Sequence, residues 1–249
     1  MDITRTIIID REACTACGLC ADVCPVPIIE KDYNNRVFKD RPVPRKLLEK
    51  IVQAIAFAPP GFPPLKTELV VVEDSEVIRR ALPGIIAFYE NLAAAMKNPV
   101  SRFFIRRKAG ASAFKTLETH VIPMMKSRLP DLKRGVSDTI TRNAQAMILF
   151  HAARDAENYE TDAYIALTYG LLIAHELGLG ATATDFIPPA VEHSPALRRI
   201  FSIPKENVVV SSMILGYPRY RHLQGITCDL KRATRLQARS DIPSDNSLL

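Results

Sequence analysis

The sequence contains no long apolar run. Its most apolar stretch, IALTYGLLIA at residues 165–174, falls well short of the ~18 apolar residues that a membrane-spanning helix requires. The N-terminal stretch MDITRTIIIDRE places acids and arginines among its apolar residues, which argues against a secretory signal. These absences predict a cytoplasmic protein with no membrane partner.

Signatures of several common enzyme classes are also missing. The segment GLGATA at 178–183 follows a predicted helix and lacks the glycine spacing of a dinucleotide-binding loop. A zinc-protease box begins at His175, but Leu179 stands where its second histidine would be. No paired carboxylates and no Ser/His arrangement indicate hydrolysis. The sequence therefore argues against a Rossmann cofactor site, a zinc protease and a hydrolase.

Cysteine is scarce outside one short segment, because four of the five cysteines lie between residues 14 and 24. Their spacing, C-x2-C-x2-C-x3-C followed by Pro25, is the bacterial iron–sulfur signature. In a reducing cytoplasm such a run indicates metal or redox chemistry rather than disulfides. Zinc is less favoured, because zinc sites more often combine separated cysteine pairs or histidines and no histidine precedes His120.

The expected cluster ligands are Cys14, Cys17, Cys20 and a fourth cysteine that the spacing alone leaves open. In two-cluster ferredoxins the last cysteine of the run ligates the other cluster, but this sequence has no second run. The fourth ligand is therefore Cys24 or the remaining cysteine, Cys228. With its flanking predicted strands, the segment 1–32 resembles one half of a bacterial-type ferredoxin that holds one 4Fe–4S cluster.

Hydrophobic periodicity predicts an α+β fold with helices packed on a central sheet. The predicted helices cover residues 43–58, 162–180 and 194–203, with several more between 75 and 134. The predicted strands cover residues 68–74, 144–152, 181–186 and 207–218. The polar end, residues 236–249, is expected to be disordered.

From Asn35 onward the chain resembles the FMN-dependent nitroreductase family. Four segments carry the resemblance in order: RVFKDRPVPRKLLEKIVQAIAFAPPG, ELVVVED, DAYIALTYGLLIAHELGLGATATDF and SPALRRIFSIPKENVVVSSMILGYP. The resemblance implies a nitroreductase-like domain over residues 33–235, with a mixed or antiparallel central sheet flanked by helices. It also implies a homodimer that binds FMN in a cleft at the subunit interface and passes two electrons to an acceptor.

The same resemblance implies a set of flavin-binding positions. Arg36 matches the last arginine of the family's phosphate-binding segment, and Asn34 replaces an earlier member of that segment. After the first predicted helix Gly61 is kept, whereas Pro63 and Leu65 replace the Asn and Gln that usually contact the flavin ring.

The remaining implied positions are spread along the chain. Lys66 is a candidate cation near the flavin ring, with a solvated loop lysine as an equally weighted alternative. Lys231 and Arg232 are candidates to complete the phosphate site. Backbone groups of the strand after the longest predicted helix are expected at the flavin or its cleft: Gly180, Ala181, Thr182 and Ala183. No residue is assigned a catalytic role.

Positive charge is concentrated in residues 97–134. Ten lysines and arginines against two acids give this segment a net charge of +8, more than the +6 of the whole chain. A solvated helical face is the favoured interpretation, and an attraction site for an anionic partner is the alternative. Nucleic acid is not expected, because the basic residues are not set in a recognisable binding motif.

These features favour an FMN-dependent, nitroreductase-like oxidoreductase that receives electrons through the cluster and reduces a small organic acceptor. The expected electron donor is a ferredoxin, a flavodoxin or a nicotinamide cofactor. One alternative is an iron–sulfur electron carrier or redox sensor on the same scaffold, without flavin turnover. A weaker alternative is an enzyme that processes flavin or cobalamin, since relatives of this fold do so.

Overall fold

A computed structural model describes residues 37–135 and 138–219 of the chain. Within them, four antiparallel strands form one sheet in the order β1-β2-β4-β3. The strands are β1 (Glu68–Val72), β2 (Ala146–Ala153), β3 (Gly180–Ala183) and β4 (Asn207–Gly216). Strands β1 and β3 therefore form the two edges of the sheet, with β2 and β4 between them.

The helices of the described residues lie before and between these strands. They are α1 (Arg45–Ile55), α2 (Ser75–Ala95), α3 (Pro99–Ala109), α4 (Ala111–Thr116), α5 (Ile122–Lys133), α6 (Tyr159–Glu176), α7 (Ile187–His193) and α8 (Pro195–Ile200). A π-helical turn, Leu117–Val121, joins α4 to α5.

Both faces of the sheet are covered by helices. Alternate residues of a strand point to opposite faces, and the buried residues of β2 divide in this way between two hydrophobic cores. Met147 and Leu149 pack with residues of α2, α5, α7 and α8. Ile148 and Phe150 pack with residues of α1 and α6. The fold is thus a helix–sheet–helix arrangement of three layers.

Several helices begin at a polar residue whose side chain accepts a hydrogen bond from the first turn. Asp74 accepts from the Glu76 N–H at 2.8 Å at the start of α2. Asn98 accepts from two backbone N–H groups at the start of α3. Such capping satisfies donors that have no partner within the helix.

The α+β fold with helices on a central sheet is confirmed, and among the described residues the sheet is antiparallel rather than mixed. The longest predicted helix, 162–180, is displaced, because α6 spans Tyr159–Glu176 and the chain turns at Gly178, where φ is +74°. The third predicted strand, 181–186, is replaced by the shorter β3, which ends at Ala183 before a turn into α7.

Some sequence predictions concern residues outside the described ranges. These are the ferredoxin-like segment with Cys14, Cys17, Cys20 and Cys24, the phosphate-site candidates Asn34, Arg36, Lys231 and Arg232, the alternative ligand Cys228, and the tail at 236–249. The boundaries at residues 32 and 235 stay predictions.

Candidate active site

A cavity of about 560 Å³ lies between the helices α2, α4 and α5 on one side and the β3 edge of the sheet on the other. Its size is within the range of small-molecule and cofactor sites. The helical wall consists of Phe88, Tyr89, Leu92, Thr116, Leu117, Val121, Met124 and Arg128. The opposite wall consists of Thr139, Ile140, Arg142, residues 182–186, Pro189 and Ile214.

The helical wall is largely aromatic and aliphatic, and its packing is specific. Tyr89 donates a hydrogen bond from its hydroxyl to the Phe186 carbonyl at 3.0 Å and meets the Phe186 ring edge-on at 5.6 Å between centroids. Burial, with a smaller contribution from the charge of Asp185, raises the pKa of Tyr89. Tyr89 therefore stays neutral and joins the helical wall to the segment after β3.

The π-helical turn contributes two residues of the cavity wall. Leu117 and Val121 begin and end this turn, and both line the cavity. A π turn adds one residue to the helical repeat and is frequent at functional sites. Here it reorients the chain between α4 and α5 at the point where both contribute to the wall.

The loop before β2 is held by a single carboxylate. Asp138 accepts hydrogen bonds from the backbone N–H groups of Ile140 at 3.1 Å, Thr141 at 2.8 Å and Asn143 at 3.0 Å. Turns of this kind, in which an Asp side chain bonds to backbone N–H groups just after it, are typical of loops. Arg142 and Asn143 adopt positive φ values of 55° and 53°. The loop thus presents Thr139, Ile140 and Arg142 to the cavity in one conformation.

The chain after β3 is also fixed by hydrogen bonds. The Thr184 N–H donates to the Ser212 carbonyl at 2.9 Å, and the Ser212 hydroxyl donates to the Thr184 carbonyl at 2.6 Å. Both side chains are buried. These two hydrogen bonds hold the backbone around Thr184 in place against β4, where it forms part of the cavity wall.

The structure brings together only some of the predicted flavin-binding positions. Thr182 and Ala183 line the cavity, whereas Gly180 and Ala181 lie earlier in β3, paired with Gly216 and Leu215 of β4.

Gly61 and Lys66 lie elsewhere in the chain. Gly61 donates its N–H to Asp162 Oδ1 at 2.8 Å, which ties the loop after α1 to the start of α6. Lys66 lines a second cavity of about 460 Å³ beside Glu68 and Asp155. Because β1 and β3 are opposite edges of the sheet, this second cavity is separated from β3 by three strand spacings, about 14 Å. Within one chain, these two positions do not join the first cavity.

The two ends of the described chain lie side by side at the β3 end of the sheet. The Lys39 N–H donates to the Tyr217 carbonyl at 2.8 Å, and the Arg219 N–H donates to the Val37 carbonyl at 2.9 Å. Pro218, which pairs with Phe38, follows Ile214 of the cavity wall by four residues, a path of about 13 Å in extended chain. The two ends of the described chain therefore lie within about 13 Å of Ile214.

The sequence did not single out Arg128, Thr139, Arg142 or Asp185, which also line the cavity. A partial signal existed, because Arg128 belongs to the basic segment 97–134 and SDTITRN before β2 is a polar run typical of a loop. Neither signal says which side chains face the cavity. That assignment needs the packing of α5 against the sheet.

The basic segment folds into α3, the short α4 and α5. Helix α3 buries none of its residues and exposes Phe103 and Phe104. Three of the segment's cations have acidic partners: Arg102 pairs with Glu118, Lys133 with Glu90 and Arg134 with Asp131. Part of the positive charge is thus a solvated, locally paired surface.

The described residues contain neither a membrane-spanning helix nor a metal-binding group of side chains. In this part of the chain no helix combines the length and apolar character of a membrane span. The same residues contain no cluster of three histidines, cysteines or acids arranged to hold a metal ion.

Comparison with known proteins identifies the family. The model of the nitroreductase family matches residues 33–217, about three-quarters of the chain. The chain belongs to the nitroreductase family. The model of the 4Fe–4S binding domain matches residues 7–30, the segment with the four clustered cysteines. The predicted family and the predicted 4Fe–4S segment are both confirmed, and family membership makes this nitroreductase-family chain an oxidoreductase.

Solved structures support the fold of this nitroreductase-family chain. An FMN-bound nitroreductase from Bacteroides fragilis NCTC 9343 is 15% identical, with a TM-score of 0.60 over 81% of this chain and 92% of that one. An FMN-bound nitroreductase from Desulfitobacterium hafniense DCB-2 is 17% identical, with a TM-score of 0.59 over 82% and 94%. The FMN and NADPH-dependent nitroreductase NfnB from Sphigopyxis sp. strain HMH is 19% identical, with a TM-score of 0.52 over 82% and 94%. No curated protein matches the chain.

Proposed function

We propose that the chain is a cytoplasmic, FMN-dependent oxidoreductase that receives electrons through an N-terminal 4Fe–4S cluster and reduces a small organic acceptor. The observation that carries the proposal is the cavity beside β3 in a chain whose family model and 4Fe–4S motif are both matched. When bound there, FMN would accept electrons singly and supply them in pairs, the chemistry required between a one-electron cluster and a two-electron acceptor.

The residues of the cavity fit such a cofactor. An aromatic ring system needs an apolar wall, which Phe88, Leu92 and Val121 supply, and hydrogen-bonding groups at its edge. The backbone at Thr182 and Ala183, in an edge strand of the sheet, supplies such groups from the adjoining wall. These residues would bind and orient the ring and exclude water from it.

The phosphate of FMN requires fixed cations or N–H donors. We assign this role to Arg36, with Asn34 beside it and with Lys231 and Arg232 from the other end of the chain. The support is that residue 37 and residue 219 are hydrogen-bonded neighbours, so the candidate cations at the two ends of the chain lie next to one place or within about thirteen residues of it. Cations from both ends of the chain would then neutralise the phosphate.

Gly61 and Lys66 fit this proposal only if a second subunit contributes. They lie outside the first cavity within one chain, and the family resemblance implies a flavin cleft at a subunit interface. We therefore assign the loop that contains them to the flavin site of the partner subunit in a homodimer. The donor is a ferredoxin, a flavodoxin or a nicotinamide cofactor.

The deciding experiment measures flavin released from the purified protein. The protein is isolated without oxygen, denatured with acid, and the supernatant is assayed for FMN. About one FMN per chain is expected, with affinity about tenfold lower in Arg36→Ala because a charge-assisted hydrogen bond to the phosphate is lost. Arg45→Ala, an exposed arginine of α1, is the matched control, and iron content is expected to be equal in all three proteins.

A protein that binds no FMN, even when FMN is added, would contradict the proposal. In that case the electron carrier or redox sensor without flavin turnover becomes the better function. The replacement of ring-contact positions by Pro63 and Leu65 favours that second candidate. Retained iron with no flavin would identify it.

The fourth cluster ligand is tested by substitution of the two candidate cysteines. Residues 37 and 219 are hydrogen-bonded to each other, which keeps Cys228 a candidate beside Cys24. We assign the ligand to Cys24, which lies within the matched 4Fe–4S motif. Cys24→Ser is expected to lower iron content, and Cys228→Ser to leave it intact; the reverse result would make Cys228 the ligand.

A further inference from the structure

Arg128 is a cation of the cavity wall that has no acidic partner among the described residues. It lies on α5, is partly buried and lines the cavity. In the part of the chain that the structure describes, no hydrogen bond or ion pair engages its guanidinium, whereas Lys133 at the end of α5 and Arg134 just after it pair with acids. A partly buried charge without a partner loses solvation that it does not recover within the chain.

A second polar group of the same cavity also lacks a partner. The Thr139 hydroxyl is buried and makes no hydrogen bond within the part of the chain that the structure describes. Asp138 holds the loop that carries it, so its position is fixed. A guanidinium offers only donors and a hydroxyl offers one. Both groups therefore lack a hydrogen-bond acceptor, and a ligand bound in the cavity would supply it.

The remaining surroundings limit the shape and the charge of that ligand. The helical wall beside Arg128 is apolar, with Leu117, Val121 and Met124. The one carboxylate among the lining residues, Asp185, is exposed. It would repel an anion from its own side of the cavity and favour the side of Arg128. Arg142, the other arginine of the lining, already has an interaction partner. The guanidinium of Arg128 is therefore the one that matches the single charge and planar fork of a carboxylate.

We infer that the acceptor is an aromatic carboxylate that carries a separate reducible group such as a nitro group, which two electrons and two protons convert to a nitroso group and one water, with Arg128 binding the carboxylate and Thr139 donating a further hydrogen bond to it. The inference rests on the proposed function, because it names the substrate class of the proposed oxidoreductase. Arg128 and Thr139 are specificity-determining residues: they bind and orient the acceptor, and the apolar wall contacts its ring. A ligand that fits the cavity would place its charged end at α5 and its aromatic ring along the helical wall.

Equilibrium binding tests this inference without turnover. Calorimetric titration of the FMN-saturated protein, in the absence of any reductant, compares 4-nitrobenzoate with 4-nitrobenzamide, which have nearly equal shape and differ in charge. We expect 4-nitrobenzoate to bind about tenfold more tightly, and Arg128→Gln to abolish most of that preference. Arg128→Lys is expected to keep part of it, because the charge remains and the planar fork is lost. Lys126→Gln, an exposed position of the same helix, is the control and keeps the full preference.

Three results would overturn the inference. They are equal or undetectable binding of the two compounds, an unchanged preference in Arg128→Gln, and loss of bound FMN in Arg128→Gln. The last would assign Arg128 to the flavin phosphate. Failure of the proposed function has a different signature, because a protein that retains no FMN can still be titrated with both compounds. A carboxylate preference that depends on Arg128 would then stand without flavin chemistry.

Discussion

At the scale of single residues, the described fold shows how one buried histidine is kept neutral. His151 lies on β2 with 3% of its surface exposed. Its Nδ1 is 2.8 Å from Asn207 Nδ2, which can only donate, so Nδ1 accepts. Asn207 Nδ2 also donates to Glu68 Oε1 at 3.1 Å. Burial lowers the pKa of His151, Arg198 lowers it further, and Glu68 partly offsets this.

This lowered pKa makes stability depend on pH. Between the folded-state pKa of His151 and the unfolded value of about 6.5, the unfolded chain binds more protons. The free energy of unfolding should therefore fall as the pH is lowered below about 6.5. In His151→Gln the side-chain oxygen can still accept a hydrogen bond from Asn207. We expect the free energy of unfolding of this variant, measured with urea, to fall less between pH 7.5 and pH 5.5 than that of wild type. His175→Gln, at an exposed position, should behave as wild type; equal losses in all three proteins would contradict the assignment.

Single residues differ in how far the sequence predicts them. The cluster cysteines were predictable because their spacing alone brings thiols to one place, and the family match at residues 7–30 confirms the motif. Thr182 and Ala183 were predictable through resemblance to a strand that lines the cavity. Arg128 and Thr139 were not, because their exposure to the cavity depends on how α5 and the loop before β2 pack in three dimensions.

At the scale of elements, α6 determines how closely the helical layer approaches the sheet. Its buried face is built mainly from small residues: Ala163, Ala166, Gly170 and Ala174. A Cβ atom added at Gly170 would lie 3.0 Å from the Met213 sulfur and 3.1 Å from Ile55 Cδ1. The space around position 170 is thus already occupied by side chains of β4 and of α1.

A large side chain at this position should force these elements apart. We expect Gly170→Leu to lower the free energy of unfolding by about 1–3 kcal/mol, the usual cost of overpacking a filled core. Urea unfolding followed by circular dichroism measures this. Glu176→Leu adds the same side chain at an exposed position of α6 and should change stability little. If Gly170→Leu were as stable as wild type, the packing described here for α6 would be wrong.

The elements themselves were largely predictable, and their ends less so. β2 and β4 are long apolar runs, buried on both faces, and such runs are detectable without knowledge of the fold. The end of β3 was predicted three residues too late, because TDF continues the apolar alternation while the backbone already turns toward α7. The cavity needs α2, α5 and β3 together, and no local pattern encodes their arrangement.

At the scale of the whole molecule, four large apolar side chains on α6 and on the segment after α1 are exposed. Tyr164 and Leu172, eight residues apart on α6, are 47% and 64% exposed. Phe57 and Phe62 flank the loop that Gly61 ties to the start of α6, and they are 80% and 60% exposed. Exposed apolar clusters of this kind mark interaction surfaces. We propose this surface as the homodimer interface, which would bring the Gly61 loop to the partner subunit.

The last prediction tests that interface. Wild type should have twice the monomer mass of 27.7 kDa in size-exclusion chromatography with light scattering. Leu172→Glu should shift the protein toward monomer, because an unpaired charge at an apolar interface is costly to bury. Val100→Glu, at a 65% exposed position of α3, places the same charge on another surface and should remain dimeric. If the flavin site needs both subunits, FMN content should fall with the dimer fraction in Leu172→Glu. A wild-type monomer that retains FMN would instead confine the site to one chain, and Gly61 and Lys66 would then have no part in it.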